Sequence, residues 1–414
     1  MNIDQIIEGV ETAKKVISIS ELNIRNNCLQ SIIKNLTSHE QELLAANKKD
    51  VTAARNNDKP DAFIDRLTLD HNRIVAMSDG VSKIIDLPDP LGIRRDETTQ
   101  VSGITTSKIS IPIGTILMIF ESRPNVTIDA ASLALKSGNV IILKGGSETN
   151  NTNKVLAKVI EQSLAENDFP ESSVQVITEN SRELSAELLK RDDAIDLVIP
   201  RGSRRLLEHI QETSKIPTLL HLEGNCHTYI DSCADHKIAV EIALNAKTRR
   251  YGICGATEKI LIHKQIAHDV LPELANKLIE KGVEIRGDAT TQGIIKTVKS
   301  ATEQDWSEEY LAPIVAIKIV DSLDQAINHI NKYGTGHTDA IITEDKMSAD
   351  TFIKQVDSSS VMVNTSTQFA DGFEYGLGAE IGISTGRLHA RGPVGLEGLT
   401  TYKWVVHSNG AIRN

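Results

Sequence analysis

The fold is decided by residues 111–148, IPIGTILMIFESRPNVTIDAASLALKSGNVIILKGGSE. This stretch contains two short aliphatic runs, 116–120 and 140–143, separated by a segment with helical spacing. Continuous aliphatic strands joined by a helix predict a parallel sheet that is covered on both faces. Ligands of such sheets bind at the carboxyl ends of the strands, where loops lead into helices. The sequence therefore predicts an α/β fold with a ligand site near the loops 121–125, 144–147 and 200–203.

The same alternation of aliphatic runs and helical patterns continues to about residue 395. Further strands are predicted at 174–177, 195–199, 218–220, 259–263, 314–320, 340–343 and 361–364. The first ~95 residues have helical spacing instead, and Ser38 followed by Gln41 predicts a helix start there. We therefore predict two doubly wound parallel-sheet domains, the first at 1–99 and 112–225 and the second at 226–397.

Two β-like stretches, 105–111 and 400–407, belong to neither predicted domain. Exposed strand edges pair readily with another chain. We therefore predict that residues 100–111 and 398–414 form a small oligomerisation flap, and that the protein is a homodimer or a larger homo-oligomer.

Composition and charge exclude several classes of partner. The chain has 414 residues, with 45 Lys and Arg against 56 Asp and Glu, a net charge of −11. No overall basic field attracts nucleic acid or an anionic membrane, and 3% aromatic residues provide few base-stacking platforms. The longest apolar run is far shorter than the ~20 residues that cross a bilayer. We therefore expect a small-molecule substrate. The four cysteines form no CxxC pair and are too few to staple a chain of this length, so we also expect a cytoplasmic protein.

Two segments contain residues that bind phosphate or metal in other proteins. Neither GxGxxG after a strand nor GxxxxGK[ST] is present, but Lys144 ends a predicted strand and is followed by Gly145 and Gly146. A cation beside backbone N–H groups suits phosphate, although an ordinary turn with a solvated lysine has the same sequence. The segment 221–236, HLEGNCHTYIDSCADH, has zinc-ligand residue types without the spacing of a zinc site, so we expect no metal.

Cys254 is the candidate nucleophile. It lies in NAKTRRYGICGATEKILIH (245–263), between Gly252 and Gly255 and shortly after Arg249 and Arg250. Small neighbours leave room for a substrate carbon, and nearby cations favour the thiolate. A buried structural cysteine is the alternative that these residues leave open.

Three blocks of sequence resemble the γ-glutamyl phosphate reductases of the aldehyde dehydrogenase superfamily. They are NTSTQFADGFEYGLGAEIGISTGRLHARGPVGLEGLTTYKW (364–404), LEGNCHTYID (222–231) and the segment around Cys254. The resemblance implies an aldehyde-dehydrogenase-like fold in which the first domain binds NADP and the second is catalytic. It also implies reduction of L-glutamyl 5-phosphate by NADPH to L-glutamate 5-semialdehyde with phosphate release, in proline biosynthesis, and a functional link to glutamate 5-kinase.

The resemblance also implies roles for single residues. Cys254 is similar to the family's nucleophile, which forms a thioester, and Asn125 to its oxyanion-hole asparagine. The expected cofactor ligands are Lys144 for the adenosine ribose and its phosphate, Gly202 and Ser203 for the pyrophosphate, and Glu309 in EEYLAP for the nicotinamide ribose. We expect Arg123, His389 and Arg391 to bind the anionic ends of the substrate, although Arg391 in HARGP is equally suited to fixing a loop.

Departures from the superfamily pattern bear on the chemistry. His221 replaces the general-base glutamate of hydrolytic members, which favours release of phosphate over hydrolysis. Gly255 replaces an asparagine that follows the nucleophile in many relatives. Ser147, three residues after Lys144, leaves space for a 2′-phosphate and favours NADPH, whereas the adjacent Glu148 argues against it.

Alternative functions remain within the same fold. One is another acyl reductase of the superfamily, such as an acyl-CoA reductase, or a zinc-dependent histidinol dehydrogenase. Another is a catalytically silent binding or scaffold protein, against which the joint presence of Cys254, Lys144 and Glu309 argues.

Overall fold

The structure, a computed structural model, describes residues 3–179, 181–219 and 223–413. It divides into two compact units. Unit 1 comprises Met1–Leu220, Gly376–Gly382 and Val394–Asn414, and unit 2 comprises His221–Tyr375 and Ile383–Pro393. Among the described residues, a search for a helix long and apolar enough to cross a membrane finds none.

The N-terminal third of unit 1 consists mainly of helices. They are α1 (Ile3–Ile17), α2 (Leu22–Ser38), α3 (Glu40–Asn56), α4 (Asp61–Leu67) and α5 (His71–Asp86). The predicted helix begins at Glu40, but the capping role of Ser38 is wrong, because Ser38 is the last residue of α2 and its hydroxyl donates a hydrogen bond back to the carbonyl of Asn35 (3.1 Å). Helix α3 begins at Glu40 without a side-chain cap. Local hydrogen bonding of this serine thus favours the end of one helix over the start of the next.

Strands and helices then alternate through the rest of unit 1. The elements are β1 (Arg94–Thr99), β2 (Thr105–Pro112), β3 (Thr115–Phe120), α6 (Asn125–Lys136), β4 (Val140–Gly145), α7 (Asn150–Ala165), β5 (Val174–Ile177), α8 (Arg182–Leu188), β6 (Leu197–Arg201) and α9 (Arg204–Thr213). Four of the strands form a parallel sheet in the order β5-β4-β3-β6. The chain order reverses between β3 and β6, which is where doubly wound sheets bind their ligands.

Two of the predicted strands in unit 1 differ from the structure. The strand expected at 195–199 begins at Leu197, because the N–H of Ile195 is used in a turn to Arg191 (2.9 Å) although the side chain is buried. Of the strand expected at 218–220, Thr218 forms a single parallel bridge to Val198, and Leu220 lies outside the described residues.

Unit 2 contains a second parallel sheet. Its elements are β7 (Cys226–Ile230), α10 (His236–Thr248), β8 (Thr257–His263), α11 (Ala267–Glu280), β9 (Glu284–Gly287), α12 (Ala289–Ile294), β10 (Lys299–Ser300), β11 (Ile314–Val320), α13 (Leu323–Tyr333), β12 (Thr338–Ile342), α14 (Lys346–Gln355), β13 (Ser360–Val363), β14 (Ile383–Ser384) and β15 (Gly392–Pro393). The sheet order is β10-β9-β11-β8-β7-β12-β13. Aliphatic side chains of α10, α11 and β8 fill one side of it. The α/β fold with two doubly wound parallel sheets is therefore confirmed.

The last strand, β16 (Thr400–His407), returns to unit 1 and pairs antiparallel with β2. Together with β1 they form a three-stranded sheet in the order β1-β2-β16. Within the described residues β16 is an edge strand, and Tyr402, Trp404 and Val406 are each more than half exposed. The amine of Lys108 lies 5.1 Å from the centre of the Trp404 ring. The stretches 105–111 and 400–407 thus pair with each other and present one free strand edge.

Candidate active site

The loops that follow β3 and β6 meet at the carboxyl edge of the unit 1 sheet. The N–H of Glu121 donates to the carbonyl of Arg201 (3.0 Å), and the N–H of Ser203 donates to Oε2 of Glu121 (2.8 Å). Ser203 directly precedes α9, so its N–H belongs to the positive end of a helix. A carboxylate therefore already occupies the position where a helix amino terminus binds anions.

Lys144 lies at the same sheet edge, near the end of β4. Its side chain is largely buried, and its amine donates to the carbonyl of Gly145 (3.1 Å). Burial lowers the pKa of this amine, while Glu148 and Glu179 act in the opposite direction. The carboxylate of Glu148 accepts hydrogen bonds from the N–H (2.7 Å) and the hydroxyl (3.2 Å) of Ser122. Glu148 is thus directed to the loop after β3.

Asn125 is the first residue of α6, two residues after Arg123. Its amide donates to Oδ2 of Asp129 (2.9 Å), one turn further along the helix. Burial raises the pKa of Asp129 to about 6, while the bond from Asn125 acts to lower it. The amide of Asn125 is therefore held in a defined orientation by the helix that it begins.

In unit 2, Cys254 lies in the turn between α10 and β8 and is partly exposed. Its carbonyl accepts a hydrogen bond from the thiol of Cys226 (3.0 Å). Gly224 approaches the same carbonyl so closely that a Cβ at residue 224 would lie 1.8 Å from the oxygen. The N–H of Gly224 donates to Oε1 of Glu309 (2.8 Å). Gly224 therefore joins the two predicted site residues of this unit, Cys254 and Glu309.

Glu309 is a half-buried carboxyl group. Burial raises its pKa to about 7, although the N–H of Gly224 acts to lower it, and Glu258 and Glu223 raise it further. This carboxyl group therefore changes its charge near neutral pH.

A buried ion pair brackets the segment that carries Cys254. The amine of Lys247, near the end of α10, lies 2.8 Å from Oε2 of Glu258, in β8. Both side chains are fully buried, which lowers the pKa of Lys247 and raises that of Glu258. Each charge compensates the other in a position where an isolated charge is very costly.

Gln368 fixes the same segment from another side. Its amide donates to the carbonyls of Ala246 (2.8 Å), Asn245 (3.2 Å) and Arg250 (3.4 Å) at the end of α10. These are carbonyls that a helix end leaves without partners in the helix. At residue 255, a Cβ would lie 3.2 Å from the carbonyl of Thr367. A side chain at residue 255 would therefore be tightly placed against this carbonyl.

The two remaining substrate candidates lie in the loop between β14 and β15. His389 is exposed. Arg391 pairs with Asp357 through Nη1 and Oδ1 (3.0 Å) and also donates to the Asp357 carbonyl (3.1 Å). Arg387 contacts the same carboxylate, and both arginines hold the pKa of Asp357 below its usual range. The loop-fixing interpretation of Arg391 describes the contacts that it makes.

The predicted residues thus fall into two groups. Unit 1 brings the loops of Arg123, Asn125, Lys144, Gly202 and Ser203 to one sheet edge. Unit 2 joins Cys254 to Glu309, and His221 lies outside the described residues. Among the residues that the structure describes, no group of His, Cys, Asp and Glu is arranged to hold a metal ion. Sequence reasoning missed Glu121 and Gln368, which no local pattern distinguishes from ordinary loop residues.

The two doubly wound sheets and the cysteine at the start of a strand define a class of α/β enzymes. The model of the aldehyde dehydrogenase family matches residues 1–295 and 287–405. A γ-glutamyl phosphate reductase from Thermotoga maritima is 42% identical over 99% of both chains, with a TM-score of 0.97. The chain therefore belongs to the aldehyde dehydrogenase family and, within it, to the γ-glutamyl phosphate reductases, as the sequence blocks predicted.

Two further solved structures bear on this assignment. The γ-glutamyl phosphate reductase from Saccharomyces cerevisiae is 32% identical over 99% of this chain and 98% of its own, with a TM-score of 0.56. An acetylating aldehyde dehydrogenase from Geobacillus thermoglucosidasius is 18% identical over 100% of this chain and 97% of its own, with a TM-score of 0.71. The last similarity shows the fold alone.

We expect Gly224→Ala to lower the free energy of unfolding by about 1–3 kcal/mol or more, because the backbone of Cys254 cannot rotate away from the new methyl group. Gly252→Ala is the matched control, since no atom lies within 4 Å of a Cβ built there. Urea unfolding curves measure both variants. Equal stability of the two variants would contradict the close approach.

Proposed function

We propose that this chain catalyses the NADPH-dependent reduction of L-glutamyl 5-phosphate to L-glutamate 5-semialdehyde, with release of phosphate, in proline biosynthesis. The observation that carries this proposal is the match to the γ-glutamyl phosphate reductase from Thermotoga maritima, 42% identical over 99% of both chains. We assign cofactor binding to residues 1–99 and 112–225 and catalysis to residues 226–397.

Cys254 is the proposed nucleophile. Its thiolate attacks the acyl carbon of the substrate, the carbon–oxygen bond to phosphate breaks, and inorganic phosphate leaves with the electron pair. The product of this step is a thioester on Cys254. Negative charge develops on the former carbonyl oxygen, and we assign its stabilisation to backbone N–H groups near Cys254 and to the amide of Asn125. His221 stands where hydrolytic relatives carry a general-base glutamate, which favours release of phosphate over hydrolysis of the thioester.

The residues at the edge of the unit 1 sheet fit a dinucleotide cofactor. The hydrogen bond from the N–H of Ser203 to the carboxylate of Glu121 supports this proposal. We assign the pyrophosphate to Gly202 and Ser203, the adenosine ribose and its phosphate to Lys144, and the nicotinamide ribose to Glu309. When bound, the nicotinamide supplies the hydride that reduces the thioester. The aldehyde then departs as its bond to the sulfur of Cys254 breaks.

Members of the aldehyde dehydrogenase family use NAD or NADP, and we propose NADPH for this chain. Ser147, three residues after Lys144, offers a small neutral side chain beside the ribose. The carboxylate of Glu148, which argues against a 2′-phosphate, accepts hydrogen bonds from the N–H and hydroxyl of Ser122.

Arg123 and His389 are the proposed ligands of the substrate phosphate. Arg391 acts through Asp357, to which it is bonded, and holds the loop that carries His389. The acyl phosphate substrate is the product of a kinase, so we propose a functional link to glutamate 5-kinase. The four cysteines are free thiols, which fits a reducing cytoplasm.

We expect Cys254→Ser to lower kcat by about 1,000-fold or more, because the hydroxyl that replaces the thiolate is a weak nucleophile. The assay follows phosphate-dependent reduction of NADP by pyrroline-5-carboxylate, the reaction run in reverse. Cys233→Ser is the control, since Cys233 is exposed and lies in the same unit. Turnover without phosphate, or full activity of Cys254→Ser, would contradict the mechanism and favour another acyl reductase, and an intact chain without activity would favour a scaffold.

We also expect the KM for NADPH to rise as the pH falls from about 8 to about 6. Glu309 has a pKa of about 7, so acidification protonates it and weakens its hydrogen bonds with ribose hydroxyls. Glu309→Gln should remove this pH dependence, whereas Glu308→Gln, an exposed neighbour, should retain it. The idea fails if Glu309→Gln keeps the slope of the parent protein.

The free edge of β16 is the surface that we propose for self-association. Its exposed Tyr402, Trp404 and Val406 and its unpaired backbone groups fit a second copy of the chain. The proposed assembly is a homodimer or a larger homo-oligomer that uses residues 100–111 and 398–414.

Trp404→Glu should lower the solution mass, because it places a charge on the apolar face of the edge strand. Met347→Glu is the control, since Met347 is 79% exposed on α14 in the other unit. Light scattering measures both variants together with a chain that lacks residues 400–414. An unchanged mass of this shortened chain would remove the proposal.

A further inference from the structure

Unit 2 contains a cavity of about 470 Å³ that none of the roles above uses. Part of the lining is α10, where Glu241 and Asn245 are four residues apart and share one face; Arg249, directly after the helix, has helical backbone angles and continues this spacing. The rest of the lining includes residues 364–366, Gln368, Phe369 and Glu374, from the segment after β13. The lining therefore combines one guanidinium, carboxylates, amides and hydroxyls.

The cavity borders the turn of the nucleophile. Gln368 lines it and is bonded to the carbonyl of Arg250, four residues before Cys254. A Cβ built on Gly255, the residue after the nucleophile, would lie 3.2 Å from the carbonyl of Thr367, which directly precedes Gln368. A ligand in this cavity is thus near the strand start at which the acyl carbon has to react.

Arg249 has capacity to bind a ligand. Among the described residues, its guanidinium makes one long hydrogen bond, from Nη1 to Oε1 of Gln368 (3.5 Å), and the side chain is otherwise exposed. A guanidinium binds a carboxylate through two parallel hydrogen bonds, and such charge-assisted pairs are among the strongest in proteins. The oxygen of Gln368 keeps Arg249 in place because the amide of the same side chain is fixed to the end of α10.

The two carboxylates that line the cavity, Glu241 and Glu374, differ in their position relative to Arg249. Eight residues of helix separate Glu241 from Arg249, a rise of about 12 Å. The two charged groups on one α-carbon are much closer together than that. Glu374 comes from the segment after β13, so the rise along α10 does not separate it from Arg249.

We infer that this cavity binds the amino-acid end of the substrate, with Arg249 on the α-carboxylate and Glu374 on the α-ammonium. The inference rests on the proposed function, since that substrate carries both groups on one carbon. It also explains how this chain selects a glutamyl group over a simple acyl group.

The test compares three aldehydes in the phosphate-dependent reverse reaction. They are glutamate 5-semialdehyde, 5-oxopentanoate, which lacks the ammonium, and 4-aminobutanal, which lacks the carboxylate. Arg249→Met should raise the KM about 10- to 100-fold for the two aldehydes with a carboxylate and leave 4-aminobutanal unchanged. Glu374→Gln should raise it for the two aldehydes with an ammonium and leave 5-oxopentanoate unchanged. An analogue that is not turned over is measured by its inhibition constant against glutamate 5-semialdehyde.

Two control variants each remove a charge of the same sign at a residue that does not line the cavity. Lys237→Met removes a cation from the exposed start of α10, and Glu344→Gln removes an exposed carboxylate of the same unit; neither residue lines the cavity. The inference is overturned if Arg249→Met matches Lys237→Met, or if it affects all three aldehydes equally. Absence of phosphate-dependent turnover in the unchanged chain would instead overturn the proposed function, and the inference with it.

Discussion

The contact between Gly224 and the carbonyl of Cys254 is the constraint on which unit 2 depends. Gly224 packs closely against the carbonyl of Cys254. The same carbonyl accepts a hydrogen bond from the thiol of Cys226, and the N–H of Gly224 donates to Glu309. The Lys247–Glu258 pair holds the two ends of the same segment. Buried pairs of this kind add little net stability, yet removal of one partner costs about 3–5 kcal/mol. Here the pair joins the end of α10 to β8, on either side of the Cys254 turn.

Much of the fold could be predicted because its strands are buried on both faces. The strands 174–177 and 314–320 were predicted with the bounds that the structure has, since a continuous aliphatic run between turns has few other solutions. The strand β9 was missed because its sequence, EIRG, has one aliphatic residue among polar ones. Ile195 was misplaced because hydrophobicity reports burial of the side chain, whereas strand bounds depend on which backbone groups a turn has already used.

In the candidate site, too, some residues are indicated by their neighbours in sequence, whereas their contacts join residues that are far apart in the chain. Cys254 is a candidate because of its neighbours in sequence, small residues and cations. The partner of Arg249 is Gln368, 119 residues away, and the partner of Ser203 is Glu121, 82 residues away. For Arg391 the sequence left two roles open, and the choice between them depends on Asp357, 34 residues earlier. Contacts of this length follow from the sheet topology and leave no mark in the local pattern.

The carboxylate of Glu121 would compete with any external anion for the helix terminus at Ser203. An anion that binds there has to replace a hydrogen-bonded partner that belongs to the chain itself and stays at a high effective concentration. The affinity of that anion therefore reflects the free-energy difference between two states, the helix terminus bonded to Glu121 and the same terminus bonded to the anion. A substitution that removes the Glu121 carboxylate therefore changes the free energy of the anion-free protein as well as that of the anion-bound protein. For the same reason, a departing ligand leaves behind a helix end whose N–H is capped again at once.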